Sequence, residues 1–169
     1  MQTLNKSSHP NPVLTQAQTN STLWVGHLRT DPNDHFAGQT FTCPAEGNLD
    51  NIQLYSAAVH HGGEVVLTLY EFDGNSKRWG QAIGSATLEV QRNDQAKWLR
   101  FNLPPVQLRK DNQYGFRVHA SNAMVALGEA ATGTKSPFTF GHEWSADSGN
   151  QLGNFFSYFS LAFKVELCA

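Results

Sequence analysis

Residues 154–167 alternate between apolar and polar side chains, and this pattern restricts the fold more than any other feature. The odd-numbered positions from 155 to 167 are nearly all apolar, while the even-numbered positions become polar towards the C-terminus. A period of two predicts a β-strand with one face in a core, because successive side chains of a strand point to opposite faces. At about 3.3 Å per residue the whole stretch would exceed roughly 40 Å, so we expect the ordered strand nearer residues 157–167.

The same period of two recurs along the chain between turn-forming residues. Residues 64–72 are largely apolar on both faces, which predicts a central strand. About nine or ten short strands and no helix are expected. Short strands with long connections, such as the Gly/Ser/Thr-rich residues 128–153, favour an all-β fold, a two-sheet antiparallel jelly-roll β-sandwich.

Composition divides the chain at residue 21. Residues 1–21 are rich in Asn, Gln, Ser, Thr and Pro, which predicts a flexible polar N-terminal tail. Residues 22–169 are expected to form a single β-sandwich domain, because a chain of 169 residues fits one domain. A domain of this size buries enough surface to be stable without a metal ion or a disulfide.

The two cysteines, Cys43 and Cys168, leave two alternatives open. They are either separate buried thiols, as free cysteines often are, or a disulfide that joins an early strand to the last one. The disulfide would require Cα atoms within about 7 Å of each other.

Charge and hydropathy exclude some classes of partner. Only 15% of the residues are charged and the net charge is −2, so nothing favours binding to nucleic acid. No run of about 18 apolar residues is present, so insertion into a membrane is not expected. The first ten residues have no apolar segment of the secretory type, so the chain as given predicts no ordinary signal peptide.

A set of core-type positions between residues 36 and 120, together with the final strand, resembles bacterial extracellular jelly-roll accessory modules. These include the galactose-binding-like and carbohydrate-binding sandwiches, which bind ligands through loop aromatics and amides. The resemblance implies the fold and an extracellular or cell-surface location, but it carries no binding residue over to this chain. The positions that carry it are Gln39, Phe41, Ile52, Leu54, Leu67, Leu69, Tyr70, Gly80, Gly84, Trp98, Phe101, Leu108, Tyr114, Phe116 and Val118.

Catalytic motifs are absent from the sequence. It contains no G-x-S-x-G, H-E-x-x-H, P-loop or G-x-G-x-x-G pattern, so we expect a protein that is not an enzyme. His60 and His61 are adjacent, and neighbours on an extended chain point to opposite faces, which makes a shared metal ion unfavourable. No cofactor and no metal site are predicted.

Two loops rich in side-chain oxygen leave a structural calcium ion as an alternative to plain Asx turns. One holds Asp31, Asn33 and Asp34, and the other holds Asp147 and Asn150 near Glu143. Calcium prefers several oxygen ligands in a flexible loop, but neither spacing matches a calcium-binding motif.

The tryptophans are the strongest candidates for ligand contact. Trp144 lies in a polar segment and either packs against the core or stacks on a sugar ring. Trp98 alternates with core positions, so its indole is expected on the outer face of a sheet, as is the ring of Tyr55. The complete predicted ligand-binding set is Trp144, His142, Glu143, Asp147, Asn150, Trp98 and Tyr55.

These features favour a non-catalytic binding module that recognises a glycan or another extracellular ligand through loop aromatics and amides. The alternative is a structural or assembly subunit of a surface layer, appendage or virion, in which the chain forms a homo-oligomer. A third hypothesis is an enzyme whose site comes together from distant strands and cannot be read from the sequence.

Overall fold

The computed structural model describes residues 9–168, and these residues form β-strands joined by turns, with no helix among them. The all-β prediction is confirmed, but the described part of the chain has fourteen strands rather than nine or ten. Accordingly, no helix there has the length and apolar character that a membrane crossing needs. The strands are β1 Asn11–Gln16, β2 Ser21–Gly26, β3 His35–Thr42, β4 Gly47–His61, β5 Gly63–Asp73, β6 Arg78–Val90, β7 Lys97–Asn102, β8 Gln107–Leu108, β9 Gln113–His119, β10 Met124–Ala131, β11 Glu143–Asp147, β12 Asn150–Phe156, β13 Phe159–Leu161 and β14 Phe163–Cys168.

Antiparallel pairing joins the strands into one curled sheet of sandwich-like form. Its main path runs β1-β14-β4-β10-β2-β3-β9-β5-β6, with β7 and β8 on β4, β11 on β3, β12 on β11 and β13 on β10. The side chains of alternate residues point inwards to a single apolar core. Phe163 lies at its centre, where its ring contacts the rings of Phe41, Phe116 and Phe138.

The alternating stretch at the C-terminus is divided among three strands, so the expectation of one strand from residue 157 onwards is wrong. β4 and β10 pair with each other between Ser56 and His61, and they diverge on the N-terminal side of Ser56 in β4. The C-terminal stretch enters this fork, where β13 pairs with β10 and β14 pairs with β4. The predicted period of two holds within β14, where Phe163, Val165 and Leu167 are buried. It does not extend across the division, because Ser160 and Ala162 are buried as well.

The N-terminal segment differs from the predicted flexible tail. Residues 11–16 form the edge strand β1, which pairs with β14 and buries Leu14 in the core. Gln16 is also buried, and its amide donates to the carbonyl oxygens of Gln18 and Leu161. A polar composition therefore did not prevent ordering, because one apolar side chain and a hydrogen-bonded edge suffice to hold a short strand. The prediction for residues 1–8 lies outside the described residues.

The two cysteines do not form a disulfide with each other, and of the two thiols that were expected to be buried only Cys43 is. The thiol of Cys43 donates to the carbonyl oxygen of Ala45 at 3.1 Å. The thiol of Cys168 lies 3.7 Å from a carboxylate oxygen of Asp50.

Candidate functional site

The structure distributes the seven predicted ligand-binding residues over separate places. Trp144 and His142 lie on the outer face of the sheet formed by β11, β3, β9, β5 and β6, and Glu143 lies on its inner face. Asp147 and Asn150 flank the β11–β12 turn. Trp98 and Tyr55 form a pair elsewhere, on β7 and β4.

The side chain of Trp144 packs against its neighbours, and this decides between the two alternatives of packing and sugar stacking. The residue is only 2% exposed and lies on β11, within a segment that the sequence predicts to be a long loop. Its indole nitrogen donates to the carbonyl oxygen of Leu152 at 3.0 Å. A ring that is covered in this way cannot itself stack on a sugar, so the packing alternative holds and the predicted ligand contact by Trp144 is corrected.

Arg117 covers Trp144 and lies at the centre of an aromatic surface on the outer face of the sheet. The register places Trp144, Gly38 and Arg117 in one row across β11, β3 and β9. The guanidinium carbon of Arg117 lies 4.3 Å from the ring centre of Trp79 and 4.9 Å from that of Trp144. We call this group the outer aromatic surface; its members are Tyr70, Phe72, Trp79, Arg117, Trp144 and Phe155.

Two glycines make room for the indoles. A Cβ at Gly115 would lie 2.6 Å from a ring carbon of Trp79, and one at Gly38 would lie 3.1 Å from a ring carbon of Trp144. The contact at Gly115 is closer than real Cβ atoms tolerate, and a Cβ at Gly38 would also lie 2.6 Å from the carbonyl oxygen of Phe116, so neither position accepts a larger residue without a shift of its neighbours. The absence of side chains at these positions allows the two indoles to approach the backbone of the sheet closely.

The outer aromatic surface contains two buried donors without an acceptor. Neither Nε of Arg117 nor the indole nitrogen of Trp79 has a hydrogen-bond partner among the described residues. Burial lowers the pKa of the Arg117 guanidinium below its ordinary value, but arginine remains charged in proteins. An unpartnered buried donor costs about 1–3 kcal/mol, and both of these donors are shielded from solvent.

A cleft of about 150 Å³ adjoins the outer aromatic surface at the end of β3. Phe140, which is 58% exposed, stands at its rim, and Phe72 and Phe155 form part of its wall. The polar residues that also line the cleft are Lys77, Gln113, His142, Thr40, Thr42 and Thr139. The side-chain oxygen of Gln113 accepts from the backbone of Gly74 at 2.7 Å, which fixes the amide with its nitrogen available to a ligand.

His142 is the predicted residue that does line this cleft. Its backbone pairs with Thr40, whose N–H donates to the His142 carbonyl oxygen at 2.9 Å. Burial, and next the charge of Lys77, lower the pKa of its imidazole below the ordinary value. A neutral imidazole offers one donor and one acceptor, which suits the hydroxyl groups of a ligand.

Trp98 and Tyr55 share the outer face of the β4–β7 pair, as predicted from their alternation with core positions. Their rings meet edge to face with centroids 5.4 Å apart. The ammonium nitrogen of Lys164 lies 4.1 Å from the ring centre of Trp98. This arrangement occupies the face of the indole that a sugar would need, so the pair is a weaker candidate than the cleft.

The oxygen-rich loops form Asx turns. A carboxylate oxygen of Asp147 accepts from the backbone of Gly149 and Asn150, which closes the β11–β12 turn. In the other loop, Asp31 and Asp34 are engaged by His35 and His27, each at 2.6 Å. Within residues 9–168 no three His, Cys, Asp or Glu side chains meet in a way that could hold a metal ion.

Glu143 lies inside the fold rather than at a binding surface. It is 2% exposed and forms a hydrogen bond with the buried carboxyl group of Glu129. Burial, that hydrogen bond and the charge of Glu129 raise the pKa of Glu143 to about 10. The side chain is therefore neutral at pH 7, and it donates its proton to Glu129.

Sequence reasoning missed most of the outer aromatic surface, although the signals were present. Arg117 and Gly115 alternate with the core residues Phe116 and Val118, so an unpaired arginine beside a glycine was readable on the outer face. The apolar residues on both faces of β5 indicated that something covers its outer side. The strands that cover it are β11 and β12. They were not predicted as strands because their part of the sequence is rich in Gly, Ser and Thr.

No protein-family model matches this chain, and no curated protein shows significant sequence similarity to it. The function must therefore be inferred from the chemistry of the residues themselves. The resemblance to extracellular jelly-roll modules stays a prediction.

Proposed function

We propose that this protein is a non-catalytic binding module that recognises a glycan at the cleft beside the outer aromatic surface. The observation that carries the proposal is the cleft itself, where the exposed ring of Phe140 stands at the rim beside the polar side chains of Lys77, Gln113 and His142. Sugars combine an apolar C–H face with hydroxyl oxygens, so they suit a surface that offers both rings and donors.

The cleft suggests how a sugar would bind. The C–H face of a ring would lie against Phe140, whose side chain is the most accessible aromatic at the rim. Lys77, Gln113 and His142 would contact the hydroxyl groups. A volume of about 150 Å³ is below the 300–1,000 Å³ typical of pockets that enclose a whole ligand. One sugar unit would therefore enter, with the rest of the chain outside.

The geometry of the two buried carboxyl groups supports a non-catalytic role. Glu129 and Glu143 form a hydrogen bond with each other, whereas the carboxyl pairs of glycoside hydrolases are about 5–9.5 Å apart. A pair in direct contact leaves no room for a glycosidic bond. We further propose a two-sheet jelly roll and an extracellular or cell-surface location, which suit a glycan-binding module.

A glycan panel followed by calorimetric titration of the best ligand tests the proposal. Phe140→Ala should weaken binding severalfold, up to about tenfold, since stacking on an aromatic ring contributes about 0.5–1.5 kcal/mol beyond burial. Gln113→Ala should weaken it as well. Tyr158→Ala is the matched control, because it removes an aromatic ring of comparable exposure that does not line the cleft. Absence of binding to every glycan, or an equal effect of Tyr158→Ala, would contradict the proposal.

An assembly subunit is the second candidate, favoured by exposed apolar side chains. Leu152 is 89% exposed and Trp24 is 40% exposed beside an apolar groove of about 430 Å³. The main path of the sheet also ends at β1 and β6, which leaves an edge of each available. Light scattering on concentrated protein distinguishes the candidates, because a monomer at every concentration would contradict assembly.

A further inference from the structure

The inner face of the β11–β12 hairpin carries a second feature that the cleft does not use. Trp144 points to the outer face of the sheet, so its neighbour Glu143 points inwards, in the same row as Gln39 of β3 and Phe156 of β12. Glu129 reaches the same place from β10. Two buried carboxyl groups thus meet inside the fold.

One oxygen of this pair lacks a partner. The neighbouring Gln39 is satisfied, since its side-chain oxygen accepts from the backbone of Leu161 at 3.0 Å. The Oε1 atom of Glu143, by contrast, has no hydrogen-bond partner among the described residues and is shielded from solvent. A buried carboxyl oxygen is an expensive group to leave unpaired. A hydrogen-bond donor from a ligand would remove that cost.

The carboxyl pair lines a cavity of about 180 Å³ whose walls come from five strands. Its lining residues are Leu23, Glu129, Glu143, Ser145, Phe156 and Phe159. The rings of Phe156 and Phe159 meet edge to face with centroids 5.6 Å apart. The two glutamates are the only titratable groups among the described lining residues, and no arginine, lysine or histidine there neutralises them.

We propose that this cavity is a binding site for a small alkylammonium group, held by the carboxyl groups of Glu129 and Glu143 and flanked by the rings of Phe156 and Phe159. An ammonium nitrogen carries donors for both carboxyl groups, including the unpartnered oxygen. Its alkyl carbons contact the rings, whose electron-rich faces attract cations. A calcium ion needs six to eight oxygen ligands, which this apolar lining does not supply. An anion would be repelled.

Binding is linked to the release of a proton. In the free protein the Glu143 proton lies in the hydrogen bond to Glu129. An ammonium ion in the cavity supplies the compensating positive charge, so Glu143 loses its proton to solvent and becomes a carboxylate. The balance is one ammonium ion bound and one proton released, with no covalent bond formed or broken. A purely structural carboxyl pair would show no such exchange.

Calorimetry with n-butylammonium chloride at pH 7, in two buffers of different ionisation enthalpy, tests the site. We expect close to one proton released per ammonium bound. The affinity should rise towards tenfold per pH unit between pH 6 and 8, where an amine with a pKa near that of lysine, about 10.4, stays charged. The neutral analogue 1-butanol should bind at least tenfold more weakly.

Variants locate the binding and separate it from the glycan cleft. Glu143→Gln mimics the protonated side chain, so the fold should persist, while ammonium binding and the proton release coupled to it should disappear. Phe156→Leu keeps the apolar volume but should weaken binding severalfold. Glu46→Gln, at an exposed carboxyl group, serves as the control. Binding without proton release, equal binding of 1-butanol, retained binding in Glu143→Gln, calcium in place of ammonium, or no binding by wild type would each overturn the proposal. Glycan titrations are scored separately, so either site can fail alone.

Discussion

Replacing Glu143 with glutamine should abolish a strong dependence of stability on pH. The pKa of Glu143 rises from 4.5 to about 10 on folding, mainly because burial disfavours the carboxylate. Between these values the folded protein holds a proton that the unfolded chain has released. The contribution of Glu143 to the free energy of unfolding is therefore complete below pH 4.5, and it is lost as the pH rises towards 10.

The structure gives the size of the effect. One proton of difference changes the free energy of unfolding by about 1.4 kcal/mol per pH unit. From pH 5 to pH 8 the loss amounts to about 4 kcal/mol, which is a large share of the roughly 5–15 kcal/mol that stabilises a typical domain. Glutamine has no proton to lose in this range. The variant should match wild type near pH 5 and exceed it by up to about 4 kcal/mol at pH 8.

Urea unfolding followed by tryptophan fluorescence at pH 5, 6, 7 and 8 measures this difference. Subtracting the curve of Glu143→Gln from that of wild type removes the contribution of every other titrating group. Glu46→Gln should leave the pH dependence of wild type unchanged, because Glu46 is exposed. Parallel curves for wild type and Glu143→Gln, or a variant that is the less stable protein at pH 8, would refute the reasoning.

Two further predictions concern packing. Gly115→Ala places a Cβ 2.6 Å from an indole carbon, so it should cost about 1–3 kcal/mol and shift the tryptophan emission spectrum. The control Gly133→Ala adds a methyl group where nothing lies within 4 Å and should be close to neutral. Leu14→Ala should destabilise the protein by about 2–4 kcal/mol in urea unfolding, because β1 belongs to the core, whereas Thr15→Ala on its exposed face should change little. A neutral Leu14→Ala would show that β1 does not contribute to stability.

The sequence predicted the inner surface of the fold better than its outer surface. Alternation identifies residues such as Leu54, Phe116 and Val165 as core because burial of one strand face leaves a period-two pattern. The division into β12, β13 and β14 could not be read in this way. It depends on where β4 and β10 diverge, which is a long-range property of the sheet.

The candidate site was predicted only in part, for a physical reason. Polarity of the surrounding sequence suggested that Trp144 lies in a loop, yet its neighbours form a strand that packs an indole against Arg117 and Trp79. The same alternation placed Trp98 correctly, because its strand has a clear core face. Glu143 was expected near a ligand at the surface, and its burial follows from its position opposite Gln39 across the β3–β11 pairing.

Mapping the bound glycan by NMR tests the central claim most directly. Backbone amide shifts of wild-type protein would be followed while the best oligosaccharide from the panel is added. We expect the largest changes at the cleft, around Lys77, Gln113 and Phe140, with smaller changes at Arg117. Changes centred instead on Trp98, or no saturable change with any oligosaccharide, would contradict a glycan site beside the outer aromatic surface.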